Sequence, residues 1–187
     1  MYTGGPLDRA GDRRRDSAWV TEMLSHPAAR VAPVWRDRNL VEPGESPRAG
    51  WLTGEAAVSI TIQSSVQVFL GLWNDAPYFA VDLVNGAAFE DLRQIGRLLA
   101  ADEATILAYA RGMTHWHRRQ KYCSDCGSPT EARDSGHVQV CTNAACGRSH
   151  FPRTDPAVIM LVTHVGADGV DRCLLGWSTR WDFPMYS

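Results

Sequence analysis

An α+β fold followed by a small metal-stapled module is predicted for this chain by three observations. Two β-rich runs, 66–73 and 78–83, flank a turn made of Asn74, Asp75, Ala76 and Pro77. Beyond Gly86 the apolar residues change to helical spacing, first at Leu92, Ile95, Leu98 and Leu99, then at Ala104, Leu107, Ala108, Tyr109 and Met113. Four cysteines then crowd together, Cys123-x2-Cys126 and, fourteen residues later, Cys141-x4-Cys146. Four thiolates so spaced suit one tetrahedral ion, and zinc, at about 2.3 Å from each sulfur, is the expected occupant.

Taken in order, residues 1–18 mix Arg9, Arg13, Arg14 and Arg15 with Asp8, Asp12 and Asp16 among Gly and Pro, and a disordered tail is expected there. They contain no apolar core of a signal peptide, and no run approaches the roughly 18–20 apolar residues of a membrane span. A cytoplasmic protein without a membrane is therefore expected. A formal charge of -2 argues against a generalised electrostatic nucleic-acid binder. Residues 19–118 read as one α+β domain. Its parts are a hairpin turned at 36–39, a half-buried strand over 58–62 (Val-Ser-Ile-Thr-Ile), the hairpin at 66–83, a helix over 89–99 and a second helix capped by Asp102.

Residues 119–152 are too polar and too short to bury a core, so the module depends on its metal. Gly127 and Gly147 follow the two cysteine pairs and permit tight turns, and 137–141 alternates as a strand entering the second pair. That arrangement is a zinc ribbon. Residues 155–163 form an apolar run suited to a central strand, and 172–176 a second strand. Two strands make no independent domain, so 153–187 reads as the start of something larger.

Each motif has a plainer alternative. The cysteines could be unrelated or disulfide-bonded thiols, although an odd count of five, with Cys173 alone, fits a reducing compartment better. Iron is the minor option for the metal, and His137 or His150 could replace a cysteine. A catalytic metal would need an open position that four thiolates do not leave. His115 and His117 diverge by about 200° around a helix and read as surface or helix-end residues. Arg93, like the basic residues beside the ribbon, reads by spacing alone as a solvated face. Trp177 and Trp181 could stack on bases, or could be partly buried strand-end aromatics.

The run from Trp116 through Cys123-Ser-Asp-Cys126-Gly127, the pair Cys141 and Cys146, and His150-Phe-Pro-Arg-Thr-Asp-Pro-Ala-Val-Ile159 resemble the NADH pyrophosphatase subfamily of Nudix hydrolases, actinobacterial type. The 66–83 hairpin and the segment Asp91-Leu-Arg-Gln-Ile-Gly96 resemble its N-terminal domain, so the likeness covers about residues 30–187. It implies a Nudix-like domain (19–118), a structural zinc ribbon (119–152) held by Cys123, Cys126, Cys141 and Cys146, and the first strands of a Nudix hydrolase domain (153–187). It also implies a homodimer that splits NADH or NAD into nicotinamide mononucleotide and AMP and acts on NAD-capped RNA. Arg93 and Phe151 fall at dinucleotide-binding positions. Gly136 stands where some relatives have a glutamate, so that contact does not carry over.

The family's chemistry uses a Gly-x5-Glu-x7-Arg-Glu-x2-Glu-Glu-x-Gly signature to hold Mg²⁺ or Mn²⁺. Only seven glutamates occur here, no two adjacent, and no Arg-Glu-x-x-Glu-Glu is present. The expectation is a chain truncated before the catalytic residues and inactive alone. The alternatives are a non-catalytic zinc-ribbon module that binds nucleotides or RNA, and an interaction fragment acting through dimerisation.

Overall fold

The computed structural model describes residues 4–84, 89–153 and 160–177. The chain divides into two compact units, Met1–Pro152 and Arg153–Ser187. In the first, the elements run α1 (Ser17–Leu24), β1 (Arg30–Trp35), β2 (Arg38–Glu42), β3 (Arg48–Ala49), α2 (Gly54–Gln63), β4 (Gln67–Trp73) and β5 (Ala76–Asp82). There follow β6 (Phe89–Glu90), α3 (Leu92–Ile95), α4 (Ala101–Arg119), β7 (Thr130–Arg133), β8 (Val138–Cys141) and β9 (Ser149–His150).

The main sheet is ordered β3-β2-β1-β5-β4, with β6 also on β2. β1 and β5 run parallel, from Arg30 opposite Tyr78 to Val34 opposite Asp82, and the other pairs are antiparallel. Both hairpins turn on two residues rather than the predicted four. Arg36 and Asp37 have φ of 48° and 64°, and Asn74 and Asp75 have 50° and 61°. Paired left-handed residues give the turn whose twist matches that of the strands.

The strand sequences are nearly continuous apolar runs because both faces are covered. Ala32, Val34, Val68, Leu70 and Ala80 pack against Ile106, Leu107, Ala110 and Met113 of α4. Their neighbours Val31, Phe69, Phe79 and Val81 point the other way, onto Trp19 of α1 and Ala57 of α2. Burying each large apolar side chain contributes about 1.5–3 kcal/mol.

Further expectations are corrected. The alternating stretch 58–62 lies in helix α2, not in a strand. The buried residues of α2 are Ala57 and Thr61, one turn apart, and the Thr61 hydroxyl donates to the Ala57 carbonyl at 2.7 Å. That bond satisfies a β-branched polar side chain inside a helix, so packing overrides strand propensity.

The predicted helix over 89–99 is instead β6 followed by the short α3. Phe89 and Glu90 pair with Leu40 and Asn39 of β2, and the Asp91 carboxylate accepts from the Arg93 amide. Leu92 and Leu99 still reach one core, but through separate pieces. Helix α4 starts with Ala100 at its cap, and Asp102 and Glu103 lie in the first turn. Glu103 accepts the Ala49 amide at 3.0 Å, which ties β3 to the helix.

Residues 8–18 lie on the domain rather than in a disordered tail. Asp8 and Leu72 exchange two backbone hydrogen bonds of 2.8 Å. Gly71 (φ 142°) permits this approach, since a Cβ there would sit 2.3 Å from the Asp8 carbonyl oxygen. The Arg9 guanidinium lies 3.8 Å over the Tyr109 ring and that of Arg13 4.1 Å over Trp19. Two of the arginines that suggested a solvated tail, Arg9 and Arg13, are engaged as cation–π partners, and Arg15 pairs with Asp134 at 3.5 Å.

In the second unit, β10 (Thr163–Val165) pairs antiparallel with β11 (Asp171–Cys173) around a turn capped by Asp168, whose carboxylate accepts from Arg172 and the Val170 amide. The strand predicted over 155–163 falls largely on 154–159, outside the described residues. Met160, Leu161 and Val162 are exposed. The second predicted strand, 172–176, is realised only as β11.

Candidate metal centre and adjoining cleft

Each cysteine pair sits on a tight turn closed by a left-handed glycine. At the first, the Gly127 amide (φ 72°) donates to the Cys123 carbonyl at 3.0 Å. At the second, the amides of Cys146 and Gly147 (φ 57°) donate to the Asn143 carbonyl, both at 2.9 Å. Glycine adopts this conformation without steric cost, which explains why one follows each pair.

The turns bring all four sulfurs within 4.8 Å of one another. Cys123 and Cys146 have Sγ atoms 3.8 Å apart, and Cys126 and Cys141 3.4 Å. A tetrahedral ion bonded at about 2.3 Å would hold its sulfurs about 3.8 Å apart, whereas a disulfide needs about 2.05 Å. The spacing therefore fits a Zn²⁺ ion and excludes disulfides. Burial first, then the neighbouring sulfurs, push the Cys141 thiol up to about 12. A divalent cation at the centre reverses that opposition by stabilising the thiolates.

Neither His137 nor His150 joins this group. His137 is buried where the ribbon meets the sheet. Its Nε2–H donates to the Phe69 carbonyl of β4 at 2.7 Å, and the Tyr109 hydroxyl lies 3.5 Å from Nδ1. His117, expected at the surface, is also buried; its Nε2–H donates to the Gly136 carbonyl at 2.7 Å, and Nδ1 accepts from Gln139 at 2.7 Å.

Both rings are thus satisfied as neutral imidazoles. Burial lowers the pKa of His117 and takes His137 down to about 4, helped by the charges of Arg14 and Arg9. Gly136 has φ 91°, and a Cβ there would meet the Gln67 carbonyl oxygen at 2.6 Å, so a backbone contact occupies the place of any side chain. The signal for this dock is in the sequence. Strand periodicity puts His137, Gln139 and Cys141 on one face, and that face turns inward.

A cleft of about 550 Å³ opens beside Arg93. Asp37 of the β1–β2 turn, Arg93 of α3, and Arg111 and His115 of α4 supply its polar wall, and Leu92, Ala108 and Gly112 its floor. Arg111 pairs with Asp91 at 3.1 Å, His115 with Asp37 at 3.0 Å, and Arg118 joins Asp37 to Asp82. Burial raises the pKa of Asp82, with Arg118 opposing it. Of these residues Arg93 was the one expected to bind substrate, while His115 was read as a surface or helix-end residue and Arg118 as part of a solvated basic face. Phe151, 60% exposed at the end of the ribbon, is not part of this wall.

A mixed-sheet domain carrying a docked four-cysteine ribbon defines the class. Residues 28–116 match the NADH pyrophosphatase-like rudimentary NUDIX domain, and residues 118–151 the NADH pyrophosphatase zinc ribbon domain. The chain belongs to the NADH pyrophosphatase family of Nudix proteins.

It is 31% identical over 152 residues to Nudix hydrolase 19, chloroplastic, of Arabidopsis thaliana, covering 71% of this chain and 34% of that protein. It is 34% identical over 123 residues to the NAD-capped RNA hydrolase NudC of Stutzerimonas stutzeri (strain A1501), covering 63% and 42%. With the NAD-capped RNA hydrolase NUDT12 of Homo sapiens it shares 36% over 95 residues, covering 48% and 20%. The chain spans less than half the length of each of these relatives. Among the described residues, no helix is long and apolar enough to cross a membrane.

Proposed function

We propose that this protein serves the hydrolysis of the pyrophosphate of NADH or NAD to nicotinamide mononucleotide and AMP, with removal of NAD caps from RNA as the same reaction on a longer substrate. The supporting observation is the tandem of a NUDIX-like domain and a ribbon with four converging sulfurs, both of NADH pyrophosphatase type. The zinc of the ribbon is structural, because four thiolates leave no open position. Arg93 presents an exposed guanidinium to the pyrophosphate, and the exposed Phe151 ring offers a stacking face for a base.

Residues 153–187 lead into the hydrolase domain. A Mg²⁺ or Mn²⁺ ion, where bound, would supply a positioned water and charge neutralisation for the pyrophosphate. The paired glutamates that would hold it are not among these residues, which would contribute scaffolding and substrate binding to the reaction. A homodimer and a cytoplasmic location accompany the proposal.

The test is NADH binding by the zinc-loaded chain, followed by nicotinamide fluorescence, with AMP release and zinc content measured on the same sample. The expected result is about one zinc per chain, saturable binding weakened in Arg93→Gln and Phe151→Ala, and no AMP release. Metal-independent, salt-sensitive RNA binding without NADH binding would favour a non-catalytic nucleic-acid module instead. AMP release would assign the hydrolytic metal to other carboxylates.

A further inference from the structure

We infer that Cys126 is a redox modification site, at which a peroxide converts the zinc-bound sulfur into a disulfide with Cys141 and discharges the metal. The inference rests on the assignment of zinc to the four sulfurs and needs neither NADH nor the hydrolase domain. Exposure separates the four cysteines. Cys123 and Cys141 are buried, at 3% and 5% exposure, and Cys146 is half-buried. Of the four, Cys126 alone is exposed. Four thiolates close the metal to a further ligand, but they do not shield an exposed sulfur from an oxidant, which reacts at the sulfur itself. A reachable thiolate poised next to a second one is the arrangement on which oxidation is selective.

Geometry selects the partner. Cys141 Sγ lies 3.4 Å from Cys126 Sγ, within the about 3–3.5 Å of a pair poised to react. Cys123 and Cys146 stand 3.8 Å apart, and neither is exposed. The Asn143 Nδ2–H donates to Cys126 Sγ at 3.9 Å, so the second cysteine turn supplies two close neighbours of the exposed sulfur.

With hydrogen peroxide, the Cys126 thiolate attacks one oxygen and the O–O bond breaks, giving Cys126 sulfenic acid and hydroxide. The Cys141 thiolate then attacks the sulfenic sulfur, forming the S–S bond and expelling a second hydroxide. The two sulfurs together lose two electrons, the peroxide gains them, and two protons from solvent turn the hydroxides into water. Zinc, left with Cys123 and Cys146, has lost half of its ligands and departs, and those two sulfurs take up protons. The metal holds the ribbon together, and residues 135–137 hold the ribbon to the domain. His137 donates to the Phe69 carbonyl, the Gly136 carbonyl accepts from His117, and Ser135 donates to the Arg14 carbonyl. Oxidation at Cys126 thereby loosens this dock, and a thiol reductant with zinc restores it.

The experiment treats the zinc-loaded Cys173→Ser chain, which lacks the exposed cysteine outside the ribbon, with hydrogen peroxide. Zinc release is followed with a chromogenic chelator, disulfides are mapped by mass spectrometry of unreduced peptides, and the ribbon is probed by limited proteolysis. The expected result is zinc release in step with a Cys126–Cys141 disulfide, new cleavage within residues 121–150, and recovery of zinc binding after reduction. Cys126→His supplies an imidazole that still ligates zinc but offers no exposed thiolate, so release should slow by about tenfold or more. Cys141→His removes the resolving thiolate, and Cys126 sulfenic acid should accumulate there and be trapped by dimedone.

A first disulfide between Cys123 and Cys126, or between Cys141 and Cys146, overturns the inference, as does release from Cys126→His as fast as from its parent. Should Cys126→His bind no zinc, the disulfide map of the parent chain decides. Zinc release without new cleavage within residues 121–150 overturns the coupling to the dock. A chain isolated without zinc sinks the structural-zinc assignment and this inference together, whereas a chain that binds zinc and keeps it under peroxide sinks this inference alone.

Discussion

Acidification should weaken the seat of the ribbon on the sheet, and His137 sets the pH at which it does so. Its ring is buried, donates to the Phe69 carbonyl and faces the positive charges of Arg14 and Arg9, which together bring its pKa to about 4. In the unfolded chain the value is about 6.5. The unfolded state therefore binds more protons between those limits, and stability falls as the pH falls from 6.5 to about 4. A difference of about 2.5 units corresponds to about 3 kcal/mol, fully present above pH 6.5 and lost by pH 4. His117 is shifted in the same direction and adds to the slope.

The assay is urea unfolding of the zinc-saturated chain at several pH values between 7 and 5, beside His137→Gln, which keeps a donor for the Phe69 carbonyl but cannot titrate. The wild type should lose stability more steeply than the variant. Acid also protonates zinc thiolates, so the imidazole is titrated directly by NMR in the same range. A His137 ring that titrates near 6.5, or equal slopes for the two proteins, would refute the reasoning.

Two further outcomes follow from the same geometry. Cys141→Ser should abolish stoichiometric zinc binding and expose residues 121–150 to protease while the main sheet persists, as read by metal analysis and limited proteolysis. Gly71→Ala should displace the segment paired through Asp8, because its Cβ would lie 2.3 Å from the Asp8 carbonyl oxygen. A loss of about 1–3 kcal/mol in urea unfolding and new cleavage within residues 8–16 are expected.

What could be read from the sequence follows how local each signal is. The hairpin at 66–83 was legible because a turn and two apolar runs are neighbours in the chain, and the ribbon because four sulfurs at short spacing admit few arrangements. The stretch 58–62 was misread because its β-branched residues carry strand propensity, whereas burial of Ala57 and Thr61 one turn apart decides its state. The spacing at 92, 95, 98 and 99 served one core through two separate pieces. Strand periodicity marks the inward face of 137–141, but the partners of His117 and His137, the carbonyls of Gly136 and Phe69, are distant in sequence and could not be read from neighbours. Likewise, only the fold brings Asp37, Arg111 and His115 to the cleft of Arg93.

The segment around residues 8–15 has a consequence for the order of assembly. It precedes in the chain all the groups that secure it, so those groups are synthesised later. They are Leu72 on β4, Tyr109 on α4, and Asp134 and Ser135 in the ribbon, which pair with Arg15 and with the Arg14 carbonyl. The β4–β5 hairpin and α4 can form from contacts close in sequence, whereas this segment must wait until residue 135 has been made. This stretch is then fastened after those elements, and its contacts with Asp134 and Ser135 depend on a folded ribbon and hence on the ribbon's metal.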